Sequence, residues 1–470
     1  MVRLPLFGLT AQTILQASQK SFQPSSQSNS VLRHEVDASF CPAGVRNHAG
    51  SIEISNKKEL FYWLFESASE PANDPLIVWL SGGPGAASTF AAISEVGPCW
   101  VNTTDNSTFR NPHHWARNAN LLILDQPAGV GFSLASPEER HQVVTLEQAT
   151  KDFVEFMHLF THQEFPGLSK NELHIAAESY GGRWAPAFMH QLLDLAEVQS
   201  PLGVPNPLGS IILVNAVVGT MGGDLSTSNY EFGCTPSGTM TKLGYGFNAS
   251  ICSLIQERGP TCEYYGSLCE TTGKVAVCKD ASNYCAREIA DQIPLGDRNM
   301  YNIAQPCKNP EELCISAWAS SVNFFNDPAV QSALGVRGRD WTPVNTEIAY
   351  AFMESGAFGQ SVILKLSALL DSGKVRVLVL NGHLDALTSV CLTKSPGEAR
   401  STTDSKNGGN GLWPIPSMGC LVELSRIPQT SSSSPLRTLG IWCREMILQL
   451  HLGILLNGCM VETLENPIIA

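Results

Sequence analysis

A serine with very small neighbours is the first candidate for chemistry in this 470-residue chain. Ser179 follows a short apolar segment, 172–175, that is typical of a strand and precedes a stretch, 183–193, that is typical of a helix. Ala177 and Gly181 lie two residues before and two residues after it. At a tight strand-to-helix turn only small side chains fit, and the serine hydroxyl is exposed above the sheet edge. The pattern predicts a nucleophilic serine, with an ordinary strand-to-helix turn as the alternative.

A glycine-rich turn supplies a second candidate. Residues 81–85 have the sequence Ser-Gly-Gly-Pro-Gly and directly follow the continuous apolar run 76–80. Backbone N–H groups in such a turn can approach a ligand closely and stabilise a developing oxyanion. In hydrolases with a serine at this kind of turn, one N–H comes from that loop and another from the residue after the serine, here Tyr180. On its own the glycine-rich segment is a common turn.

The elements that position these residues alternate between strands and helices. Antiparallel strands are predicted at 51–54 and 60–65, further strands at 76–80, 121–125, 172–175, 210–215 and 375–380, and helices at 145–160 and 183–193. Continuous apolar strands indicate burial on both faces, as in a parallel sheet covered by helices. The predicted fold class is therefore α/β, with a mostly parallel central sheet and helices on both faces.

Composition narrows the class of protein. The net charge of −13 argues against nucleic acid as a partner. No apolar run reaches about 18 residues, so no membrane span is expected. Fourteen cysteines predict disulfides, and three glycosylation sequons begin at Asn102, Asn106 and Asn248. Together these features predict a secreted protein or one of a vacuolar or lysosome-like lumen.

Three regions are predicted along the chain. Residues 1–36 form a leader, read as a poor signal peptide or a pro-segment. Residues 37–390 form the catalytic domain, interrupted at about 222–327 by an insertion that carries eight cysteines and lies over the active face. We expect these cysteines to form disulfides rather than a zinc site, because no Cys-x-x-Cys pair is present. Residues 391–470 form an atypical tail that is not the ancestral C-terminus.

Four segments in the same order and spacing carry a family resemblance. They are 79–85 (WLSGGPG), 95–98 (EVGP), 125–133 (DQPAGVGFS) and 178–182 (ESYGG). Between about Cys41 and Asp385 the chain resembles the serine carboxypeptidases, an α/β-hydrolase family of secreted and vacuolar acid exopeptidases. The resemblance implies that fold with the disulfide-rich insertion, and it implies removal of C-terminal residues from peptides through an acyl-enzyme.

The resemblance implies roles for the reacting groups. Ser179 is the nucleophile, and the N–H groups of Gly83 and Tyr180 form the oxyanion hole. Asp385, in a Gly-His-Leu-Asp turn where the family has Gly-Asp-x-Asp, orients the catalytic histidine. The family histidine follows this aspartate near the C-terminus, and His451 is the candidate here, although its neighbours differ from the family's. His383, two residues before Asp385, is a less suitable base because the family does not use that position.

The resemblance also implies how the substrate is held. Glu95 and Glu178 match paired family glutamates that, with Gly82 N–H and residue 81, bind the substrate's C-terminal carboxylate. Two adjacent carboxyls share a proton that can be donated to this carboxylate, so an acidic optimum is expected. Ser81 stands where the family has asparagine; serine still offers a hydrogen-bond donor, but its side chain has a shorter reach. At 86–87, Ala-Ala replaces a Cys-Ser pair, so one family disulfide is absent or rearranged.

The predicted function is a serine-type carboxypeptidase acting on peptides or proteins with a free C-terminus, without a metal or organic cofactor. Two alternatives remain at this point. One is a catalytically impaired family member that keeps the carboxylate pocket but lacks the histidine, through a degenerate copy or a disrupted reading frame. The other is an acyltransferase, because the same acyl-enzyme can pass to an alcohol.

Overall fold

A mixed sheet forms the centre of the protein. The computed structural model describes residues 31–55, 58–136, 144–220, 228–293, 296–382 and 384–388, together with the backbone of 423–424. Its strands are β1 (Val31–Glu35), β2 (Asn47–Ser55), β3 (Lys58–Phe65), β4 (Leu76–Leu80), β5 (Cys99–Val101), β6 (Thr108–Arg110), β7 (Asn120–Leu124), β8 (Leu134–Ala135), β9 (Leu173–Glu178), β10 (Leu208–Val214), β11 (Arg298–Asn299), β12 (Asn302–Pro306), β13 (Arg376–Leu380) and β14 (Glu423–Leu424).

The helices of the described part fall between these strands. They are α1 (Ser88–Ser94), α2 (Leu146–Leu159), α3 (Gly181–Glu197), α4 (Thr239–Lys242), α5 (Ala249–Thr272), α6 (Val275–Glu288), α7 (Trp318–Phe325), α8 (Pro328–Ala333), α9 (Thr346–Glu354) and α10 (Ile363–Ser372). Short single turns occur at Ala38–Phe40, Trp115–Arg117, Pro166–Leu168, Ala290–Gln292, Pro310–Glu312 and Ala357–Gly359, and a wider turn at Phe160–Glu164.

The strand order is that of a parallel core with an antiparallel flank. The main sheet runs β1-β2-β3-β7-β4-β9-β10-β13-β14, and β8 pairs with β3. The strands β7, β4, β9, β10 and β13 are mutually parallel, while β1, β2 and β3 pair antiparallel. This order confirms the predicted α/β class with a parallel core, although the sheet as a whole is mixed because its flanking strands pair antiparallel.

Burial explains why the central strands are uniformly apolar. Every residue of β4 and β7 is buried, and side chains alternate between the two faces of a strand, so both faces are covered. Helix α3 packs on the sheet and against α2, where the rings of Phe153 and Phe188 stack 4.3 Å apart. The carboxyl ends of the parallel strands are thus fixed by a rigid core, and the candidate site lies at this edge.

Some element boundaries differ from the sequence prediction. Strand β9 continues to Glu178, beyond the predicted 172–175, because Ala176 and Ala177 pair with both β4 and β10. At the N-terminal side, residues 31–35 of the range assigned to the leader form β1, which pairs with β2. In the range assigned to the tail, β14 pairs antiparallel with β13. Residues 1–30, and all of 391–470 except 423–424, lie outside the described residues.

Disulfides hold the insertion together, as predicted. Its eight cysteines form four bonds, which join Cys234 to Cys252, Cys262 to Cys285, Cys269 to Cys278, and Cys307 to Cys314. A fifth bond joins Cys41 to Cys99. The thiols of the insertion are therefore consumed by these bonds and are not free to bind zinc.

The insertion reaches the sheet edge through the β11–β12 hairpin. The N–H of Ile303 donates to the carbonyl of Leu384 at 3.0 Å, and the N–H of Ala386 donates to that of Met300 at 2.9 Å. These two bonds lie on either side of Asp385 in the sequence. The hairpin therefore holds the loop that carries Asp385 on both sides of this residue.

Candidate active site

Ser179 lies in a strained turn between β9 and α3. Its φ is +57°, in the left-handed region that residues other than glycine rarely adopt. A side chain added at Gly181 would place its Cβ 2.9 Å from that of Ala177, so only small residues fit here. The Ser179 N–H donates to Val214 at 3.0 Å, and its carbonyl accepts from Val217 at 2.9 Å. The turn thus holds the partly exposed serine in one orientation.

The glycine-rich loop runs directly against this turn. A Cβ at Gly82 would lie 2.6 Å from the Tyr180 nitrogen and 2.8 Å from the Ser179 Cβ. Gly83 has a φ of +100°, which a side chain would strain. This close approach brings the loop that carries the Gly83 N–H beside the first turn of α3, which carries the Tyr180 N–H. The predicted oxyanion donors therefore come from adjacent backbone segments.

Backbone hydrogen bonds anchor the end of the glycine-rich loop at Ala86 and Ala87. Ala86 forms an isolated antiparallel bridge with Val344. The Ala87 N–H donates to Pro343 and the Asn345 N–H donates to Gly85, both at 2.8 Å. Main-chain hydrogen bonds thus join residues 85–87 to residues 343–345.

Glu95 and Glu178 lie close enough for the charge of one to act on the other, and Glu178 directly precedes Ser179. Burial raises the pKa of Glu95 well above its ordinary value, and the charge of Glu178 raises it further. Burial, followed by the charge of Asp385, raises the pKa of Glu178 to about 7. Each carboxyl is enclosed on most sides by protein, although solvent still reaches part of each residue. Because two such groups cannot both ionise cheaply, at least one carries a proton at acidic pH.

Ser81 is buried at the end of β4, where its backbone N–H donates to Ser88 Oγ at 3.0 Å. Its hydroxyl oxygen accepts a hydrogen bond from the indole nitrogen of Trp79 at 3.3 Å. A hydroxyl that accepts one bond still has its own hydrogen to donate. Ser81 is thus fixed beside Gly82 with one donor.

Asp385 lies in the loop after β13 and is buried. Its Oδ1 accepts from the N–H groups of Leu387 and Thr388 at 2.7 and 2.9 Å. Its Oδ2 accepts from Thr388 Oγ1 at 2.7 Å and from Asn215 Nδ2 at 2.8 Å. Burial raises the pKa of Asp385, and these hydrogen bonds oppose that rise.

Sequence reasoning missed three residues at this site. Asn215 and Thr388 hold the Asp385 carboxylate, and Tyr301 of the insertion lies close enough to the acids for their charges to act on it. Burial and the charges of Glu178, Asp385 and Glu95 raise the pKa of Tyr301 to about 12. A polar residue at the carboxyl end of a central strand was the available signal for Asn215. Tyr301 has no local signal, because the insertion brings it to the site.

Both candidate bases, His451 and His383, lie outside the described residues. The structure therefore brings together Ser179, the glycine-rich loop, the glutamate pair and Asp385, and neither candidate base belongs to the part of the chain that it describes. Within the ranges that are described, no group of three or more His, Cys, Asp or Glu side chains is arranged to hold a metal ion. In the same part of the chain, no helix is both long and apolar enough to cross a membrane.

Comparisons with known proteins agree with one another. A family model for serine carboxypeptidases matches residues 40–406. Carboxypeptidase Y of Schizosaccharomyces pombe is 30% identical over 73% of this chain and 34% of its own length. Carboxypeptidase Y homolog A of Chaetomium globosum is 31% identical over 73% of this chain and 58% of its own length. A vacuolar serine-type carboxypeptidase of Saccharomyces cerevisiae is 29% identical, over 73% and 64% respectively. The matched part thus spans about a third to two thirds of these relatives.

A solved structure supports the fold. The crystal structure of a prohormone-processing carboxypeptidase from Saccharomyces cerevisiae matches with a TM-score of 0.61 and 22% identity, over 76% of this chain and 80% of that one. The parallel sheet and the strand–turn–helix around Ser179 define an α/β hydrolase. Since the family model covers residues 40–406, the chain belongs to the serine carboxypeptidase family.

Proposed function

We propose that this chain is a serine-type carboxypeptidase that releases C-terminal amino acids from peptides at acidic pH. The observation that carries the proposal is the position of Ser179, next in sequence to Glu178 and therefore beside the proton-sharing glutamate pair. A nucleophile beside a group that holds a terminal carboxylate attacks the last peptide bond rather than an internal one. The backbone of the glycine-rich loop, packed against the same turn, supports oxyanion stabilisation.

The proposed reaction has two steps. A histidine, for which His451 is the candidate, takes the proton of Ser179 Oγ as the oxygen attacks the last peptide carbonyl. The oxyanion forms against the N–H groups of Gly83 and Tyr180, and the histidine protonates the departing amino acid. Water activated by the same histidine then hydrolyses the acyl-enzyme. Asp385 orients the histidine and stabilises its charged form.

We propose that the substrate carboxylate is held by Ser81, Gly82 N–H and the pair of Glu95 and Glu178. A protonated carboxyl donates a hydrogen bond to the incoming carboxylate, whereas two ionised carboxyls repel it. Since burial raises the pKa of Glu178 to about 7, the proton is present under acidic conditions. An acidic lumen therefore suits the site.

Location and modification are proposed on the same basis. The vacuolar relative and the five disulfides support a secreted protein or one of a vacuole-like lumen. Asn106 and Asn248 are exposed and Asn102 is half-buried, which supports N-glycosylation at the three sequons.

A second candidate function is that of a non-catalytic member that binds peptide C-termini. The hydrogen bonds around Asp385 favour it. The carboxylate has about four acceptor positions, and Asn215, Leu387 and Thr388 supply four donors. A histidine that pairs with Asp385 must displace one of these donors, and Thr388 Oγ1 is the one that can rotate away.

Release of a free amino acid distinguishes the candidates. We would incubate the chain at pH 5 with one peptide that has a free C-terminus and with its amidated form, beside Ser179→Ala and His451→Ala. Release from the free peptide alone, lost in Ser179→Ala, supports the carboxypeptidase. Retention of the free peptide without release supports the binding protein, and faster transfer to an added alcohol than to water supports an acyltransferase.

A further inference from the structure

Asn215 lies between the serine turn and the aspartate loop. It follows β10 directly, at the carboxyl edge of the sheet, and its N–H donates to Leu380 at 2.8 Å. Its φ is +42°, a left-handed conformation that asparagine tolerates better than most residues. The backbone here is thus shaped to aim the Asn215 side chain toward the loop after β13.

The carboxamide of Asn215 makes two hydrogen bonds to that loop. Nδ2 donates to Asp385 Oδ2 at 2.8 Å, and Oδ1 accepts from the N–H of Gly382 at 3.0 Å. One planar group therefore holds both the start of the loop and its carboxylate. A bond that donates to a carboxylate is stronger than one between neutral groups.

The segment that contains Asn215 also brackets Ser179. Val214 accepts from the Ser179 N–H, and the Val217 N–H donates to the Ser179 carbonyl. A Cβ at Gly182 would lie 2.7 to 2.9 Å from Ala216 and Val217, so the first turn of α3 is packed tightly on the same segment. Val214, Ala216 and Val217 are thus in direct contact with the serine turn, while the side chain of Asn215, in the same segment, holds the aspartate.

We propose that Asn215 is a positioning residue that fixes Asp385 relative to Ser179. Its effect on rate rests on the proposed carboxypeptidase function, whereas the contact with the aspartate does not. A glycine at this position removes the carboxamide and still accepts the positive φ. Asn215→Gly therefore measures the contribution of the side chain without straining the backbone.

The surroundings of Asp385 make the contact pH-dependent. Among the described residues, the titratable groups that face it are Glu178 at the end of β9 and Tyr301 of the β11–β12 hairpin, with Glu95 beside Glu178. Burial already raises the pKa of Asp385, and the Asn215 donor is one of the bonds that oppose the rise. Loss of this donor in Asn215→Gly raises the pKa of Asp385 further. At pH 7 the ionised carboxylate therefore destabilises the variant more than it destabilises the wild type. When Asp385 is protonated, this extra loss of stability is absent.

A thermal-unfolding experiment tests this contact without requiring activity. We expect the loss of Tm in Asn215→Gly to be larger at pH 7 than at pH 4 by about 2 °C or more. This pH-dependent part should vanish when Asp385→Asn is the background. Equal losses at the two pH values, or the same pH-dependent loss in the Asp385→Asn background, would overturn the proposal. If Asp385→Asn does not fold, the comparison between the two pH values decides alone.

A matched control is Asn326→Gly. The Asn326 carboxamide also bridges backbone groups, donating to Val322 and Trp341 and accepting from the Trp341 N–H, with no bond to a carboxylate. Its loss of Tm should be the same at both pH values. If Asn326→Gly shows the same pH-dependent loss of Tm as Asn215→Gly, the effect comes from removing any side-chain amide. That result would overturn the inference.

Peptide release supplies the readout of positioning. Asn215→Gly should lower kcat by about tenfold or more with KM within about twofold, because the substrate pocket is untouched. Asn215→Asp keeps the acceptor and, when protonated, a donor, so its activity should recover only at acidic pH. A kcat of Asn215→Gly within about twofold of wild type would contradict the proposal. If the wild type releases no amino acid, the proposed function fails, and the Tm comparison still decides the role of Asn215.

Discussion

The serine at the site is held in a conformation that its residue type disfavours. A non-glycine φ of +57° costs about 1–2 kcal/mol relative to ordinary backbone. The main-chain bonds of Ser179 to Val214 and Val217 maintain it. Strain of this kind persists where the surrounding structure over-determines the backbone, and it occurs often at catalytic positions. At the residue scale, the conformation of Ser179 therefore supports the nucleophile that its neighbours in the sequence predict.

The pH dependence of substrate binding follows from the glutamate pair. For a peptide with a free C-terminus, KM should rise as pH increases through about 7, the value to which burial raises the pKa of Glu178. The cause is loss of the proton that is donated to the substrate carboxylate. An amidated or ester substrate should show no such rise in KM. The measurement is KM from pH 4.5 to 8, and a flat profile for the free peptide would contradict the account.

The same buried charge should lower stability. The pKa of Glu178 is raised in the folded state, so the folded protein binds more protons than the unfolded chain between about pH 4.5 and 7, and stability falls as pH rises through this window. Glu178→Gln should therefore increase the free energy of unfolding at pH 8 by about 2 kcal/mol and have little effect at pH 4.5. Denaturant unfolding at the two pH values measures this. A variant that is less stable than wild type at pH 8 would sink the prediction.

At the residue scale, the local sequence pattern identified the residues of the serine turn. It did not identify the residues that reach the site from distant parts of the chain. Ser179 and Glu178 belong to one turn whose small neighbours are visible in the sequence. Asn215, Thr388 and Tyr301 reach the acids only through strand order and the insertion, which no local window records. His451 remains a prediction from the family resemblance, as do the roles of the other site residues.

At the scale of elements, close backbone packing joins the strand–turn–helix to the glycine-rich loop. Gly181 and Ala177 face each other across the turn, and Gly82 lies against Tyr180. Even a methyl group added at Gly181 or at Gly82 would lie less than 3.0 Å from a neighbouring atom, so the surrounding backbone would have to move. The two elements therefore form one rigid unit.

Gly181→Ala tests this packing. The new Cβ would lie 2.9 Å from the Cβ of Ala177 and 3.1 Å from the Leu80 carbonyl oxygen. We expect a loss of about 2 kcal/mol in the free energy of unfolding, despite the better helix propensity of alanine. Denaturant unfolding measures the loss.

Gly167→Ala is the matched control for this variant. A Cβ there meets no heavy atom within 4 Å. Its free energy of unfolding should change by less than about 0.5 kcal/mol. Equal effects of the two substitutions would show that the turn is not close-packed.

The sequence located the elements well and their ends less well. The predicted strands 60–65 and 76–80 lie within β3 and β4, because continuous apolar runs mark buried strands. The end of β9 was misplaced since alanines and glycines together favour a turn. In the structure, Ala176 and Ala177 instead pair with the strands on either side.

At the scale of the whole molecule, disulfides stabilise two parts of the described chain. One bond, Cys41 to Cys99, lies outside the insertion, and the other four lie within it. The count of cysteines predicted bonding, but partners could not be assigned because eight insertion cysteines allow many pairings. The structure pairs Cys262 with Cys285 and Cys269 with Cys278, and thereby joins α5 to α6. The hairpin that covers Asp385 belongs to this same insertion.

Loop length should order the contributions of the disulfides to stability. Cys41 and Cys99 are separated by 58 residues, and Cys307 and Cys314 by 7. In the chain-entropy account, replacing the first pair by serines costs about 4 kcal/mol and replacing the second costs about 2 kcal/mol. Denaturant unfolding of the two double variants measures the order. A larger loss from the shorter loop would contradict it.

The central claim is that Ser179 is an activated nucleophile in this chain. The most direct measurement is labelling of the purified protein with a fluorophosphonate at pH 5 and pH 7, with the modified peptide mapped and Ser179→Ala treated in parallel. We expect rapid modification at Ser179, none in Ser179→Ala, and a loss of labelling in His451→Ala. A folded chain that remains unlabelled at both pH values would contradict it.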